Sequence, residues 1–239
     1  MDINANDSNA ASYIYLHISN AFIQSGFIKE AEKYIQKSLD YNPNNLYSVY
    51  VKEYILYASH GDLNQLKEGL IATFKRDTTR LDVVQEIAKT CYYMRDYNCS
   101  YAYYKAFNDI REAYDLDIFR SEDGKIGLVF LEMGFKEESE LMLAKYKAYA
   151  DRDNSVYKNM SLAAYYSVTG NAEKAIEHLK LFAEEDNYFY WLVIYVGMDP
   201  LFDNIKDHPE FDDILEDIES KFWDYHEDVK TSLESQGLI

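Results

Sequence analysis

Apolar residues recur at intervals of three and four along most of the chain, in segments too long to be single strands. This spacing places the apolar side chains on one face of a helix. Short turns separate the segments, and five of these turns are similar to one another and recur at nearly constant spacing. They are Ser25-Gly26-Phe27, His60-Gly61-Asp62, Met94-Arg95-Asp96-Tyr97, Met133-Gly134-Phe135 and Thr169-Gly170-Asn171, at intervals of 35, 34, 39 and 36 residues. The pattern predicts helix pairs, each joined by a tight turn.

A period near 34 residues with a helix on each side of a short turn resembles the tetratricopeptide repeat. That repeat favours small residues at its eighth and twentieth positions, where the two helices cross closely, and Ser19 and Ala31 occupy these places in the first unit. The resemblance implies an all-α fold, a right-handed α–α superhelix of about five helix-turn-helix repeats. The predicted units cover residues 12–45, 47–80, 81–114, 120–153 and 156–189.

The second and third units fit the repeat less well. Bulky Tyr54 and Leu66 stand at the small positions of the second unit, which predicts a splayed or rotated helix pair. Cys91 stands in the third unit where an aromatic residue is usual. The stretch from Tyr114 to Phe119 is an insertion between the third and fourth units. We expect it to lengthen a helix or the connecting loop.

Residues 190–239 are predicted to form an acidic capping segment with one long helix from Pro209 to about Ser235. From Glu184 to Ile239 there are 16 Asp and Glu against 3 Lys and Arg, a net charge of −13 out of −18 for the whole chain. One interpretation is that this helix closes the core of the last repeat. The alternative is self-association of two copies through Phe222, Tyr225 and Val229. The acidity argues against nucleic-acid binding by this chain itself, because phosphate contacts need clustered Lys and Arg.

The end of the chain resembles one bacterial tetratricopeptide family more specifically. Asn171-Ala172-Glu173-Lys174-Ala175-Ile176 is followed by Tyr190-Trp191-Leu192, and then by Asp199-Pro200-Leu201-Phe202-Asp203 and His208-Pro209-Glu210-Phe211. In that family the last repeat runs into a closing segment of this kind. Such arrays usually form the C-terminal part of signalling proteins with a winged-helix DNA-binding domain or a nucleotide cyclase domain. The resemblance implies a sensory or interaction module of a signalling or transcription-regulating protein.

We expect no enzyme activity, no cofactor and no metal. The five histidines lie outside metal-binding spacings, and no glycine-rich phosphate-binding loop occurs. Cys91 and Cys99 are too few for a disulfide framework or a metal site. We expect two packed thiols, with a bridge between them as the open alternative.

The partner-binding groove follows from the repeat geometry, because the first helix of each unit lines the concave face of such an array. Tyrosine, aliphatic and amide side chains there suit an extended peptide or a helix of a partner protein. A further alternative is a small-molecule sensor, with its ligand near Tyr54 and Cys91. The predicted groove residues are Tyr13, His17, Asn20, Gln24, Lys52, Gln85, Lys89, Tyr92 and Tyr93.

The N-terminal residues 1–11 are expected to be a disordered stretch or an artificial boundary. They are polar, and no basic residue precedes Lys29, unlike a secretory signal peptide. No run approaches 18 apolar residues, so we expect no membrane insertion. The expected location is the cytoplasm, or the periplasm if a parent protein has an upstream membrane helix.

Overall fold

The computed structural model describes residues 7–239, and all regular secondary structure in this range is helical. Five helix pairs come first, and a closing segment follows. In each pair, a turn of two to three residues joins the two helices. The closing segment contains a short helix, a 3-10 turn at Pro200–Ile205 and a long helix. The helices are α1 Ser8–Gln24, α2 Ile28–Tyr41, α3 Leu46–His60, α4 Leu63–Arg76, α5 Leu81–Tyr93, α6 Tyr97–Ala113, α7 Asp123–Glu132, α8 Lys136–Arg152, α9 Lys158–Val168, α10 Ala172–Ala183, α11 Tyr190–Val196 and α12 Phe211–Ser235.

Helix α1 begins at Ser8, inside the stretch that we expected to be disordered. The side chain of Asp7 accepts hydrogen bonds from the amides of Asn9 and Ala10, so it caps the otherwise unpaired first turn. Residues 1–6 of that predicted stretch lie outside the described range.

The recurrent turn needs a residue with positive φ at its centre. Glycine occupies this place in four of the five turns, as at Gly61, where φ is 70°. In the third turn Arg95 adopts φ 58°, a conformation that costs a non-glycine residue free energy. The Arg95 guanidinium forms a two-pronged ion pair with the Asp203 carboxylate, in which Nη2 lies 2.8 Å from Oδ1. This contact helps to hold the turn in its unfavourable conformation.

The chain forms two compact units. Unit 1 consists of residues 7–83, 189–191 and 223–239, and unit 2 consists of residues 84–188 and 192–222. Each unit is therefore assembled from segments that are distant in the sequence.

In unit 1, α1 and α2 cross where small residues meet. The hydroxyl of Ser19 donates a hydrogen bond to the carbonyl oxygen of Ala31 at 2.7 Å, and both residues are fully buried. In the next pair Tyr54 and Leu66 are also buried. At Gly69 in α4, an added Cβ would meet only the carboxylate end of the Glu53 side chain in α3.

Unit 1 also contains the C-terminal part of α12. The ring of His226 stacks on Phe27 with 4.1 Å between centroids, and its Nδ1 lies 2.8 Å from the carbonyl oxygen of Ser25. Trp223 contacts His226 edge-on at 5.1 Å. His226 thus covers the turn between α1 and α2, and Trp223 supports the His226 ring.

In unit 2 the same kind of crossing recurs in two helix pairs. Ser100 donates to the carbonyl oxygen of Ala88 at 3.0 Å, and Ser139 donates to that of Gly127 at 2.7 Å. A Cβ at Gly127 would lie 2.8 Å from Leu143 Cγ, so α7 and α8 touch there without room for a side chain.

The insertion between the third and fourth repeats lengthens the loop, because α6 already ends at Ala113. Arg111 is fully buried beneath this loop. Its guanidinium lies 3.4 Å from the carbonyl oxygens of both Ile118 and Phe119 and forms an ion pair with the buried Asp123. The buried arginine thus organises the inserted segment.

Cys91 and Cys99 form a disulfide with an S–S distance of 2.07 Å, so our expectation of two separate thiols was wrong. Cys91 lies near the end of α5 and Cys99 near the start of α6. The tight turn between these helices brings the Cα atoms of the two cysteines to 5.8 Å, within the range that a disulfide spans.

No helix within residues 7–239 combines the length and the apolar character needed to cross a bilayer.

Candidate protein-binding surface

Four of the predicted groove residues form a continuous stripe along α1. Tyr13, His17, Asn20 and Gln24 are spaced by four, three and four residues, so they lie on one face of the helix. Tyr13 is 45% exposed, His17 is exposed, and Asn20 and Gln24 are half-buried. We call these four residues the α1 stripe. Lys52, the predicted groove residue in α3, is half-buried as well.

A second exposed tyrosine stands beside the α1 stripe. Tyr47, at the start of α3, is 47% exposed, and its ring centroid lies 6.4 Å from that of Tyr13. Tyr47 was not among the predicted groove residues because it is the first residue of its repeat, outside the helix positions that line the groove. Its signal was the large aromatic side chain in the first turn of a helix, two residues after the cap residue Asn45.

Tyr13 and Tyr47 border a cleft of about 410 Å³ in unit 1. A volume of this size falls in the range of pockets that bind small molecules or short segments of a partner. Most of the lining residues come from the connections between helices, and most of these have amide or charged side chains. The lining residues of this Tyr13–Arg80 cleft are Asn9, Tyr13, Asn42, Asn44, Asn45, Leu46, Tyr47, Asp77 and Arg80.

Arg80 forms part of the cleft wall and is largely buried. Its Nε and Nη2 donate to the two oxygens of Asp82 at 2.7 and 2.5 Å, and its guanidinium lies 4.0 Å from the centre of the Tyr47 ring. The hydrogen bond to Asp82 raises the pKa of Arg80 further above its ordinary value, against the effect of burial. The charge of Arg80 is thus balanced by Asp82, and its guanidinium makes a cation–π contact with the Tyr47 ring.

The asparagines of the cleft differ in how fully they are hydrogen-bonded. Asn45 is buried, accepts from the amides of Tyr47 and Ser48, and donates to Ser12 at 2.9 Å. Asn42 donates to Oδ1 of Asn9 at 2.8 Å. Arg76 donates to Oδ1 of Asn44 at 3.3 Å.

The side-chain NH₂ groups of Asn9 and Asn44 have no partner among residues 7–239. Each of these amides uses its oxygen within the protein and leaves its donors to solvent or a ligand. Asn9 falls in the stretch that was expected to be disordered, and Asn44 lies in a turn, so the cleft depends on their meeting in space.

The predicted groove residues of the third repeat are not accessible. Tyr92 is fully buried, donates its hydroxyl proton to the Asp199 carboxylate and accepts from the amide of Leu201 at 2.9 Å. Tyr93 is buried and stacks on Tyr195 with 4.3 Å between centroids. Within unit 2, Asp199 and Leu201 therefore cover the end of α5. The repeat geometry alone predicted that this part of α5 would be exposed.

The other two residues predicted in this helix are also engaged. Gln85 is buried, and the ammonium group of Lys89 lies 2.6 Å from the carboxylate of Glu86. Replacing Lys89 and Tyr92 together would therefore disturb the core of unit 2, and would not test a binding surface.

A network of buried charged groups surrounds this part of unit 2. Tyr104 donates to Glu122 at 2.7 Å, and the Lys125 ammonium lies 3.5 Å from the other oxygen of Glu122. Burial alone would raise the pKa of Glu122, but Lys125 and Lys89, together with hydrogen bonds from Tyr104 and Gln85, more than offset it, so this pKa is lowered. Burial raises the pKa of Asp199 despite Lys125 and the hydrogen bond from Tyr92. These groups are paired with one another and serve to join the closing segment to the repeats.

The three residues considered for self-association do not form one exposed face. Phe222 is buried and packs on Tyr188 in unit 2, with 6.4 Å between ring centroids. Tyr225 is 48% exposed and Val229 is half-buried. Of these three residues, only Tyr225 presents a large exposed surface.

The two residues named for a small-molecule site, Tyr54 and Cys91, are both buried.

Within the described range, no group of three or more His, Cys, Asp and Glu side chains is placed to hold a metal ion. Among the buried acidic residues of unit 2, Glu122 and Asp123 have lysine and arginine partners respectively, and Asp199 accepts from the Tyr92 hydroxyl.

Solved structures with a similar fold include PilF of Pseudomonas aeruginosa, at 14% sequence identity and a TM-score of 0.52, over 88% of this chain and 90% of that chain. The thermophilic TPR protein TTC0263 of Thermus thermophilus is similar at 15% identity and a TM-score of 0.53, over 80% of this chain and 98% of that one. No protein-family model and no curated protein sequence matches the chain. The helix pairs and these similarities confirm the predicted class: this is an all-α protein with the tetratricopeptide-repeat fold.

Proposed function

We propose that this chain is a protein-interaction module that binds a segment of a partner protein along the α1 stripe and in the Tyr13–Arg80 cleft. The observation that carries the proposal is the pair of exposed tyrosines, Tyr13 and Tyr47, beside amide donors that have no partner among residues 7–239. Exposed aromatic side chains next to unpaired polar groups are typical of the anchor points of protein interfaces. Amide groups suit an extended segment because they bind main-chain carbonyl oxygens.

The repeat architecture supports the same function. In unit 1 the first two helix pairs contact each other through α1, α2 and α3, so the exposed faces of α1 and α3 lie on one packed frame. Tyr13 belongs to both parts of the proposed site, since it begins the α1 stripe and lines the cleft. One extended segment can therefore contact both parts.

We further propose that the module is the regulatory part of a bacterial signalling or transcription-regulating protein. This finer assignment rests on the resemblance of Asp199–Asp203 and His208–Phe211 to the closing segment of such arrays. It is tested by sequencing the reading frame upstream of the codon for Met1. An adjoining winged-helix or cyclase domain would support the assignment, and a stop codon there would contradict it.

The interaction function is tested by selecting binders from a phage-displayed library of random dodecapeptides. We expect the selected peptides to lose about tenfold or more in affinity for the Tyr13→Ala and Tyr47→Ala variants, because truncating an aromatic anchor typically removes more than about 1 kcal/mol. Fluorescence anisotropy measures the affinities. Tyr114→Ala is the matched control, since Tyr114 is 74% exposed and lies in unit 2. Equal affinities for all three variants would remove the proposed site.

A further inference from the structure

The charges in the Tyr13–Arg80 cleft define the chemistry of the segment that it binds. Two ionised side chains line the cleft, Arg80 and Asp77. Arg80 is already matched by the two-pronged contact with Asp82. Asp77 has no ion-pair partner within contact distance among residues 7–239: its hydrogen bonds come from the neutral amide and hydroxyl of Thr79, and Arg80 adds only a smaller electrostatic attraction that lowers its pKa.

Asp77 is prepared to bind a donor from outside the protein. Its Oδ1 accepts both hydrogen bonds from Thr79, at 3.0 Å from the amide and 2.6 Å from the hydroxyl. Its Oδ2 has no hydrogen-bond partner among residues 7–239. The hydrogen bonds from Thr79 lower the pKa of Asp77, so the carboxylate is ionised at neutral pH.

The tyrosine rings favour a cation as well. Arg80 lies over the ring of Tyr47 at 4.0 Å, which shows that this wall accepts a guanidinium. The neighbouring ring of Tyr13 has no cation on it within residues 7–239 and is 45% exposed. A cationic side chain that enters the cleft thus meets a free carboxylate oxygen and an exposed aromatic face.

We propose that the Tyr13–Arg80 cleft binds a lysine or arginine side chain of an extended partner segment, with Asp77 as its counter-ion and Tyr13 as its aromatic platform. This inference rests on the proposed interaction function and specifies its ligand. The amide donors of Asn9 and Asn44 bind main-chain carbonyl oxygens of the same segment. The net charge of −18 on the whole chain adds long-range attraction for a basic partner.

The test uses two bead-bound pools of random heptapeptides, one with lysine fixed at the central position and one with glutamate. Fluorescent protein captured by each pool is measured at about 0.15 M salt, where distant charges are screened beyond roughly 8 Å. We expect the lysine pool to capture roughly fivefold more protein than the glutamate pool, as one exposed ion pair allows. Asp77→Asn keeps an oxygen that accepts the hydrogen bonds from Thr79 but removes the negative charge. We expect it to lower the ratio of capture by the lysine pool to capture by the glutamate pool at least twofold.

Asp224→Asn is the control, because it removes one exposed negative charge on α12 and changes the net charge equally. We expect it to leave the capture ratio unchanged. If capture depends on Tyr13 and Tyr47 but the ratio is the same for wild type and Asp77→Asn, the cationic ligand is ruled out and the interaction function stands. If neither pool is captured above empty beads, or Tyr13→Ala and Tyr47→Ala leave capture unchanged, the proposed function at this surface fails as well.

Discussion

At the scale of single residues, unit 2 is unusual for the number of ionised groups in its interior. Glu122, Asp123 and Arg111 are buried, and each has a partner of opposite charge. Removing a charge from water is costly, and a partner compensates for much of this cost only when the geometry is good. The stability of unit 2 therefore depends on keeping these pairs complete.

The titration of Glu122 gives a pH-dependent prediction. Its pKa in the folded protein lies below the ordinary value of 4.5. The ionised form thus favours the folded state, and this contribution is present at neutral pH and lost as the pH falls below about 4.5 through the folded pKa. We expect Glu122→Gln to lower the free energy of unfolding by about 3 kcal/mol at pH 7, because it leaves Lys125 without its main counter-ion. We also expect the difference in the free energy of unfolding between Glu122→Gln and wild type to shrink as the pH falls, because Glu122 then becomes protonated in the wild type as well.

Urea unfolding between pH 3 and pH 7 measures both effects. Glu216→Gln is the control, because Glu216 is an exposed acid on α12 within unit 2. It is expected to follow the wild-type profile. A constant difference between Glu122→Gln and wild type across this range would show that Glu122 does not titrate as we infer.

At the scale of helices, the fold depends on a few points where two helix backbones come close. Ser19 with Ala31, Ser100 with Ala88 and Ser139 with Gly127 are three such points, and a serine hydroxyl bonds the facing carbonyl in each. The same contact occurs in both units. A small residue at these positions is a requirement of packing, and the hydrogen bond then fixes the register of the pair.

The crossing of α7 and α8 can be tested with a matched pair of glycine substitutions. Gly127→Val places side-chain atoms against Leu143, which is itself buried, and we expect it to lower the free energy of unfolding by about 2 kcal/mol through overpacking. Gly69→Val meets only the side chain of Glu53, which is half-buried and can swing away. We expect little change there. Thermal and urea unfolding measure both variants, and equal losses would contradict the close crossing at Gly127.

At the scale of the whole molecule, residues far apart in the sequence complete each unit. In unit 1 the turn between α1 and α2 is covered by His226, about two hundred residues further along the chain, and Trp223 packs edge-on against His226. A repeat array that buries its cores through neighbours alone would not need this contact. The C-terminal helix therefore contributes to the stability of the first repeat.

This contribution is testable by hydrogen exchange. We expect the double variant Trp223→Ala/His226→Ala to raise amide exchange in residues 22–30 about tenfold or more, because Phe27 loses its cover and the turn opens more often. Exchange in the α9–α10 pair of unit 2 is expected to stay the same. Mass spectrometry of the exchanged peptides provides the measurement. Tyr225→Ala, an exposed position on the same helix, serves as the control, and equal exchange in both variants would refute the role of Trp223 and His226.

Much of the helical framework could be predicted from local signals. The turns with Gly26, Gly61, Gly134 and Gly170 need positive φ, which glycine supplies in any context, and their spacing indicated where each helix pair reverses. Small residues such as Ser19 and Gly127 likewise indicate helix crossings from the sequence alone. These signals are encoded within a few residues of where they act.

The candidate site was only partly predictable. The α1 stripe follows from the period of a single helix, so Tyr13 and its neighbours could be named in advance. The cleft could not, because Asn9, Asn44, Asp77 and Arg80 come from three separate parts of the chain. Each of them looks like an ordinary cap or turn residue until these parts are brought together.

The sequence by itself determined that the chain forms tetratricopeptide helix pairs, since periodicity and turn chemistry act over short distances. Only the tertiary structure decided which predicted groove residues are accessible. Tyr92 and Gln85 have the right helical phase, yet both are buried, and the segment beginning at Asp199 packs on Tyr92. The physical reason is that burial depends on contacts between residues more than one hundred positions apart, and the local pattern of a helix does not record what will cover it.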